Sequence, residues 1–188
     1  MTDYLVKIVL CGDSQVGKTS LLHQFLHHSF LPTYQLTIGV DFEVRTAQRP
    51  GLVLKQQIWD LSGDMRFRAI VISYFPNAWT IVVVYDVTAR ASFESVGNWL
   101  AAIVDQREAT VVVVGNKVEG HREVQYEEGA QVAREAGALF METSAANAEL
   151  TMAWFNVVEE VTAARAKREQ LKSGFSMGSG FLLRRSAA

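Results

Sequence analysis

The residues that most clearly predict chemistry lie at positions 12–19, which read G-D-S-Q-V-G-K-T and match the spacing G-x-x-x-x-G-K-T. Gly12 and Gly17 allow backbone angles that residues with a Cβ resist, so successive N–H groups can point inward at a polyphosphate. The pattern predicts a phosphate-binding loop in which Lys18 reaches the β- and γ-phosphates and the Thr19 hydroxyl ligates Mg²⁺. The residues predicted to contact the phosphates are Asp13, Ser14, Gln15, Val16, Gly17, Lys18, Thr19 and Ser20.

An ordinary glycine turn is the alternative interpretation of this stretch. The flanking sequence favours the phosphate loop, because an apolar run at Leu5–Leu10 predicts a buried strand before it. Thr19–His27 then has the apolar spacing of a helix. Strand, loop and helix in that order are the context in which such a loop binds phosphate.

A carboxylate follows the predicted strand Leu52–Trp59. It belongs to Asp60, and Gly63 comes three residues later. A carboxylate at that position can hold the ligand shell of Mg²⁺, while the Gly63 N–H can face a γ-phosphate. Alone this pattern is weak, but about forty residues beyond a phosphate loop it strongly supports a nucleotide site.

A base-recognition pattern follows the predicted buried strand Val111–Val114. Asn116 and Lys117 come directly after its end, and Glu119 stands two residues further on. A carboxylate there can accept the N1–H and the exocyclic N2–H of guanine, a pair of donors that adenine lacks. The residues therefore predict a guanine nucleotide.

The periodicity of apolar residues predicts alternating strands and helices. The predicted strands are Leu5–Leu10, Phe42–Gln48, Leu52–Trp59, Thr80–Tyr85, Val111–Val114 and Leu139–Glu142. The predicted helices are Thr19–His27, Ser92–Asp105 with Ser92 as N-cap, Tyr126–Ala136, and a last helix capped by Asn147. The expected fold is α/β, with a six-stranded, mostly parallel sheet that has one antiparallel edge strand and helices on both faces. Its strand ends gather the phosphate loop, Asp60, Asn116 and Ser144 into one crevice.

Composition and charge limit the class of protein. The 188 residues are 49% hydrophobic and 20% charged, which suits one globular domain. The formal net charge of −2 gives no reason to expect a nucleic-acid partner. Cys11 is the only cysteine, and no secretory signal is visible, so we expect a cytoplasmic protein in a reducing compartment.

From about Tyr4 to Arg168 the sequence resembles the Ras-like small GTPases, and most closely the Rab family. The resemblance implies the fold of a P-loop NTPase, with GTP/GDP and Mg²⁺ as cofactors. The motifs that support it, besides the phosphate loop, are T-I-G-V-D-F at 37–42, I-W-D at 58–60, R-F-R at 66–68, Y-D-V-T at 85–88, R-E-V-Q-Y-E-E-G at 122–129 and E-T-S-A at 142–145.

The resemblance also implies roles for individual residues. Thr37 is expected to close on Mg²⁺ and the γ-phosphate, and Phe30 to lie against the base. The Ala145 N–H is expected to meet guanine O6. The remaining cofactor-binding predictions are Tyr34, Gly63, Asn116, Lys117, Glu119, Ser144 and Ala146; the metal ligands are Thr19, Thr37 and Asp60; and the catalytic residues are Gly63, Asp64, Lys18 and Thr37.

A regulatory cycle follows from the same resemblance. GTP is expected to order 30–40, the first switch segment, and 61–74, the second switch segment, and hydrolysis to release them. Exchange factors, activating proteins and effectors are the expected partners of a monomer. Phe42, Trp59 and Tyr74 match the aromatic triad that Rab proteins present to effectors, although each one singly also fits ordinary core packing.

The second switch segment departs from the family pattern D-T-A-G-Q, because it reads D-L-S-G-D at 60–64. Asp64 replaces the glutamine that orients the attacking water. An ionised carboxylate cannot donate a proton and stands near an anionic γ-phosphate, so we predict slow intrinsic hydrolysis.

The base site departs as well. Glu119 stands where the family has aspartate in N-K-x-D, and Ala146 replaces the lysine of S-A-K. An imperfect charge-assisted pair costs about 1.5–3 kcal/mol, so we predict weakened but still guanine-selective binding. Ser14 and Gln15 replace glycines found in Ras; serine is usual in Rab proteins, and Gln15 has no interpretation from sequence.

The predicted domain spans 1–172, and 173–188 is predicted to be a flexible tail rich in glycine and serine. Rab proteins usually end in cysteines that carry prenyl groups, and this chain has none there. Either the sequence is shortened at this end or the protein is not anchored by prenylation, and both interpretations stay open. For the sequence as it stands, membrane association is expected to be peripheral and to come through a partner. A Rab-like switch for vesicle traffic is the leading hypothesis, and a nucleotide-stabilised interaction module that no longer cycles is the alternative.

Overall fold

The computed structural model describes residues 2–30, 36–106 and 108–182, with side chains described from 3 to 171. In this part of the chain six strands form one sheet in the order β2-β3-β1-β4-β5-β6. The strands are β1 (Thr2–Cys11), β2 (Val40–Arg49), β3 (Leu52–Leu61), β4 (Thr80–Asp86), β5 (Thr110–Asn116) and β6 (Leu139–Glu142). Only the pair β2–β3 is antiparallel. The predicted α/β fold with one antiparallel edge strand is confirmed.

Helices cover both faces of the sheet. They are α1 (Lys18–His27), α2 (Arg68–Ile72), α3 (Arg90–Glu94), α4 (Val96–Ala102), α5 (Tyr126–Glu135) and α6 (Ala148–Leu182), with a short 3₁₀ helix at Met65–Phe67 before α2. Strand residues such as Val9 and Val83 pack with Trp99 of α4 on one face. On the other face Phe25 of α1 stacks on Phe155 of α6, with ring centroids 3.4 Å apart. Strands buried on both faces explain the continuous apolar runs of the sequence.

A buried carboxylate ties the edge hairpin β2–β3 to α6. Glu159, which is only 2% exposed, accepts a hydrogen bond from Arg45 Nη1 at 2.7 Å and one from Gln56 Nε2 at 2.9 Å. It also pairs with Arg49. Three donors satisfy the carboxylate, which is the condition under which an acid is tolerated in a protein interior. Both strands of the hairpin are therefore fixed by one side chain of α6.

The single helix predicted at Ser92–Asp105 is wrong in detail, because the chain forms α3 and α4 on either side of Ser95. Ser92 is not an N-cap. It lies inside α3, where its hydroxyl accepts from the Asp86 N–H at 3.0 Å and donates to the Ala89 carbonyl at 2.8 Å. The serine therefore binds the end of β4 and the start of α3 rather than the first free N–H groups of the helix.

The cap predicted for the last helix is confirmed, since Asn147 Oδ1 accepts from the Leu150 N–H at 3.1 Å. The backbone of α6 then continues to Leu182, so ten residues of the predicted tail are helical. A division of the chain at 172 stays a prediction.

Candidate nucleotide-binding site

The phosphate loop curls between β1 and α1. Gly12 and Gly17 both have positive φ, at 134° and 94°, as the loop pattern requires. A Cβ at Gly17 would lie 2.3 Å from Asn116 Nδ2, so the loop also packs closely on the end of β5. Gln15 adopts a φ of 66°, the left-handed region that a side chain resists.

Lys18 folds back over this loop. Its ammonium donates to the carbonyls of Gly12 at 2.9 Å and Asp13 at 2.7 Å, and the residue is 5% exposed. Burial lowers the pKa of Lys18, and the nearby Asp60 opposes that shift. A cation held in this position lies ready to meet phosphate oxygens above the loop.

Three oxygen-bearing side chains predicted as magnesium ligands come together beside the loop. Thr19 Oγ1 lies 2.9 Å from Thr37 Oγ1 and donates to Asp60 Oδ2. These atoms arrive from α1, from the first switch segment and from the end of β3. The structure thus brings Thr37 across eighteen residues of sequence to the start of α1.

The chemistry of this set fits Mg²⁺. Asp60 is 1% exposed, and its Oδ1 atom has no hydrogen-bond partner among the described residues. Burial raises the pKa of Asp60 to about 6. A buried carboxylate oxygen without a partner is costly, and a divalent cation would satisfy it. Hydroxyl and carboxylate oxygens are the ligands that Mg²⁺ prefers.

Asn116 organises the predicted base site from a fully buried position at the end of β5. Its Nδ2 donates to the Val16 carbonyl at 2.8 Å, and its Oδ1 accepts from the Ala145 N–H at 3.1 Å. The asparagine therefore joins the phosphate loop to the loop after β6. The Ala145 N–H, which the family resemblance assigns to guanine O6, donates to this side chain.

Lys117 and Ser144 complete this frame. Lys117 has a φ of 66° and pairs through Nζ with Asp86 Oδ2 at 2.6 Å, which ties the ends of β4 and β5 together. Ser144 is buried, and its Oγ accepts from the Ala146 N–H at 3.1 Å. The first contact fixes Lys117 against β4, and the second fixes the turn after β6.

The departures from the family pattern lie on the outside of that frame. Glu119 and Ala146 are both exposed. Phe30, predicted to lie against the base, is 46% exposed, and Tyr34 lies outside the described residues. The variable positions of the base site are therefore those that a bound base, rather than the protein core, would cover.

The second switch segment begins directly on the phosphate loop. A Cβ at Gly63 would lie 2.2 Å from the Ser14 nitrogen, so only glycine allows this approach. Asp64 follows and caps the 3₁₀ helix by accepting from the Arg66 N–H at 2.9 Å. Arg66 Nε lies 2.9 Å from Asp64 Oδ2, and Nη2 lies 2.5 Å from it. Hydrogen bonds from Arg66 lower the pKa of Asp64, which keeps it ionised.

Phe42, Trp59 and Tyr74 form one aromatic cluster. The ring centroids of Phe42 and Trp59 are 4.5 Å apart, and those of Trp59 and Tyr74 are 5.0 Å apart. Phe42 is 41% exposed. Lys7, which the sequence did not single out, places its ammonium 5.6 Å from the Trp59 ring centroid.

Trp99 is the other contact that sequence missed. Its indole Nε1 donates to Asp13 Oδ1 at 2.8 Å, and Arg68 lies over its ring at 4.7 Å. The phosphate loop and the second switch segment therefore meet on one side chain of α4. No signal in the sequence marks this contact, because an apolar residue within a predicted amphipathic helix is expected simply to pack in the core.

Other kinds of site are less well supported. Within the described residues no cluster of three or more His, Cys, Asp or Glu side chains could hold a metal ion. The described helices include none that is both long enough and apolar enough to cross a bilayer.

The comparisons with known proteins agree with this geometry. The model of the Ras family matches residues 7–163. The Ras-related protein Rab-8A of Rattus norvegicus is 41% identical, over 88% of this chain and 83% of the relative. The GTP-binding protein ypt2 of Schizosaccharomyces pombe is 40% identical, over 85% and 82%. The Ras-related protein RIC1 of Oryza sativa is 47% identical, over 78% and 74%.

Proposed function

The chain belongs to the Ras family as a Rab-like small GTPase, and we propose that it is a guanine-nucleotide switch in vesicle and membrane traffic that hydrolyses GTP slowly. The observation that carries the proposal is the convergence of Thr19, Thr37 and Asp60 beside a complete phosphate loop. Thr37 belongs to the first switch segment, so a bound metal would connect that segment to the nucleotide. This connection is what a switch requires.

The residues that would hold the nucleotide have distinct tasks. The loop N–H groups and Lys18 would bind phosphate oxygens, and Thr19, Thr37 and Asp60 would hold the metal. The chemistry that bound Mg²⁺ supplies is neutralisation of charge on the phosphate oxygens. The Gly63 N–H would face the γ-phosphate, and Asn116 and Lys117 would position the base.

Slow hydrolysis follows from Asp64. Its carboxylate accepts hydrogen bonds only, and those it accepts come from Arg66. Neither oxygen is presented as a paired donor and acceptor for water, which is the task of the family's glutamine. An activating protein that brings its own glutamine and arginine would still stimulate turnover.

Partners would read the switch segments and the aromatic cluster Phe42, Trp59 and Tyr74. Exchange factors would load GTP, activating proteins would speed its loss, and effectors would bind the ordered form. The exposed edge of Phe42 supports this, since a core residue would have no reason to remain 41% exposed. Contact with an intracellular membrane would then be peripheral.

The alternative is a nucleotide-stabilised module that does not cycle, and the replacements Asp64 and Glu119 favour it. One experiment separates the two functions. The purified protein is incubated with GTP and Mg²⁺, and its bound nucleotide is identified by chromatography over time. Slow conversion of GTP to GDP supports the switch. Persistent GTP, or no bound nucleotide, supports the module.

Base preference is tested in the same preparation by competition. Glu119 still offers a carboxylate, and Asn116 and Lys117 are fixed in place, so GTP is expected to displace ATP. Equal binding of ATP and GTP would contradict a guanine switch.

A further inference from the structure

Asp64 introduces a negative charge at a sensitive place. Gly63, the preceding residue, packs against the backbone of Asp13 and Ser14. Asp64 therefore lies next to the phosphate loop, directly after the residue whose N–H is predicted to face the γ-phosphate. It lines an open cavity of about 710 Å³ together with Ser14, Met65 and other residues of the loop, the second switch segment and α4. An unpaired carboxylate here would repel a nucleoside triphosphate more than a diphosphate.

Arg66 forms an ion pair with this carboxylate. Its Nε lies 3.1 Å from Asp64 Oδ1 and 2.9 Å from Oδ2, and its Nη2 lies 2.5 Å from Oδ2. Its backbone N–H adds a further bond to Oδ1 at 2.9 Å. The arginine side chain is 75% exposed, whereas that of Asp64 is 18% exposed. The pair thus turns the carboxylate toward a solvent-facing cation.

Arg68, the other arginine of the second switch segment, does not pair with Asp64. Arg68 Nη2 donates to the Asn98 carbonyl at 3.0 Å, and its guanidinium lies over Trp99. It therefore faces α4, and the ion pairs of the described residues join Asp64 to Arg66 alone. The two arginines carry the same charge in the same segment but have different partners, so one is a matched control for the other.

We propose that Arg66 is a positioning residue that lets this chain hold GTP, because it orients and neutralises the Asp64 carboxylate that replaces the family's glutamine. The inference rests on the proposed function and adds a specificity role to it. Arg66 adds to the preference for triphosphate over diphosphate that the other γ-phosphate contacts of the site would give.

The test compares the dissociation constants of GDP and of a non-hydrolysable GTP analogue, both with Mg²⁺. Arg66→Ala is expected to weaken the analogue roughly tenfold relative to GDP, as one uncovered charge near the γ-phosphate requires. Asp64→Asn combined with Arg66→Ala is expected to restore the wild-type ratio, because no charge is left to cover. Arg66→Lys is expected to retain most of the ratio, since it keeps the cation.

Arg68→Ala is the control for simple loss of positive charge. Any change it causes in the ratio should persist when Asp64→Asn is added. The proposal is overturned if Arg66→Ala leaves the ratio unchanged, or if Asp64→Asn rescues both arginine variants equally. Failure of the wild-type protein to bind either guanine nucleotide is a different result, because it overturns the proposed function itself. Circular dichroism confirms folding of each variant, and the exposure of Arg66 favours it.

Discussion

The phosphate end and the base end of the site are built differently. At the phosphate end Lys18 and Asp60 are buried. Lys18 donates to backbone carbonyls, and Asp60 accepts from Thr19, the residue next to Lys18. At the base end Asn116 is equally buried, but Glu119 and Ala146 lie on the surface. The replaced residues at that end therefore occupy positions where a new side chain disturbs no packing.

This difference separates the side chains that hold the folded loops in place from those that would serve only to contact the nucleotide. Lys18 and Asn116 brace backbone segments, so losing either side chain affects the loops themselves. Asp64, Glu119 and Ala146 brace little beyond their own turns. Function at these positions can change while the phosphate end stays intact.

The largest effect is expected at the phosphate end. Lys18→Ala should weaken binding of GDP with Mg²⁺ by at least about thirtyfold, since truncating a buried, hydrogen-bonded charge costs about 2–5 kcal/mol. Titration with a fluorescent GDP derivative measures it. Lys55→Ala removes an exposed lysine that pairs with Asp3 and should leave the affinity unchanged. A loss of less than tenfold for Lys18→Ala would break the distinction between the two ends.

The next effect is expected in the second switch segment. Asp64→Gln should speed intrinsic GTP hydrolysis by roughly a hundredfold, because it restores a side chain that both donates to and accepts from water. Single-turnover hydrolysis by the protein alone measures the rate. Asp64→Asn removes the charge but is too short to reach the same water, so its rate should rise far less. A wild-type rate no slower than that of Asp64→Gln contradicts slow hydrolysis.

A smaller effect is expected at the base. Glu119→Asp should slow GDP dissociation about tenfold, because the shorter carboxylate can pair with both guanine donors in good geometry. Stopped-flow release of labelled GDP measures it. ADP is the control, since adenine lacks that pair of donors. An equal gain for ADP would mean that the substitution acts on the loop rather than on the base.

The smallest effect is expected within the phosphate loop. Gln15→Gly should raise the free energy of unfolding by about 0.5–1 kcal/mol, because glycine relieves a left-handed backbone while costing some chain entropy. Urea unfolding at saturating GDP measures the change. Asn77→Gly provides a reference, since Asn77 has a similar φ of 63° but lies far from the loop in sequence and tolerates that region better. If Gln15→Gly instead lowers the free energy of unfolding, the glutamine side chain makes a stabilising contact.

The sequence predicts most of the fold and the phosphate end because both are encoded by local patterns. The glycine spacing, the buried strand β1 and the strand-end position of Asp60 each carry their own signal. Contacts between distant segments carry none. The Asp13–Trp99 hydrogen bond spans 86 residues. Arg66 was visible only as part of a motif, and its pairing with Asp64 depends on the turn between them.

The bond between Glu159 and the edge hairpin limits which parts of the molecule can move. β2 starts three residues after Thr37, and β3 contains Asp60, so both strands deliver a proposed metal ligand. If the hairpin slid along the sheet, the buried carboxylate of Glu159 would lose its partners, at a cost of about 3–5 kcal/mol. The hairpin is thereby anchored on α6, and we expect the two switch segments to move relative to it.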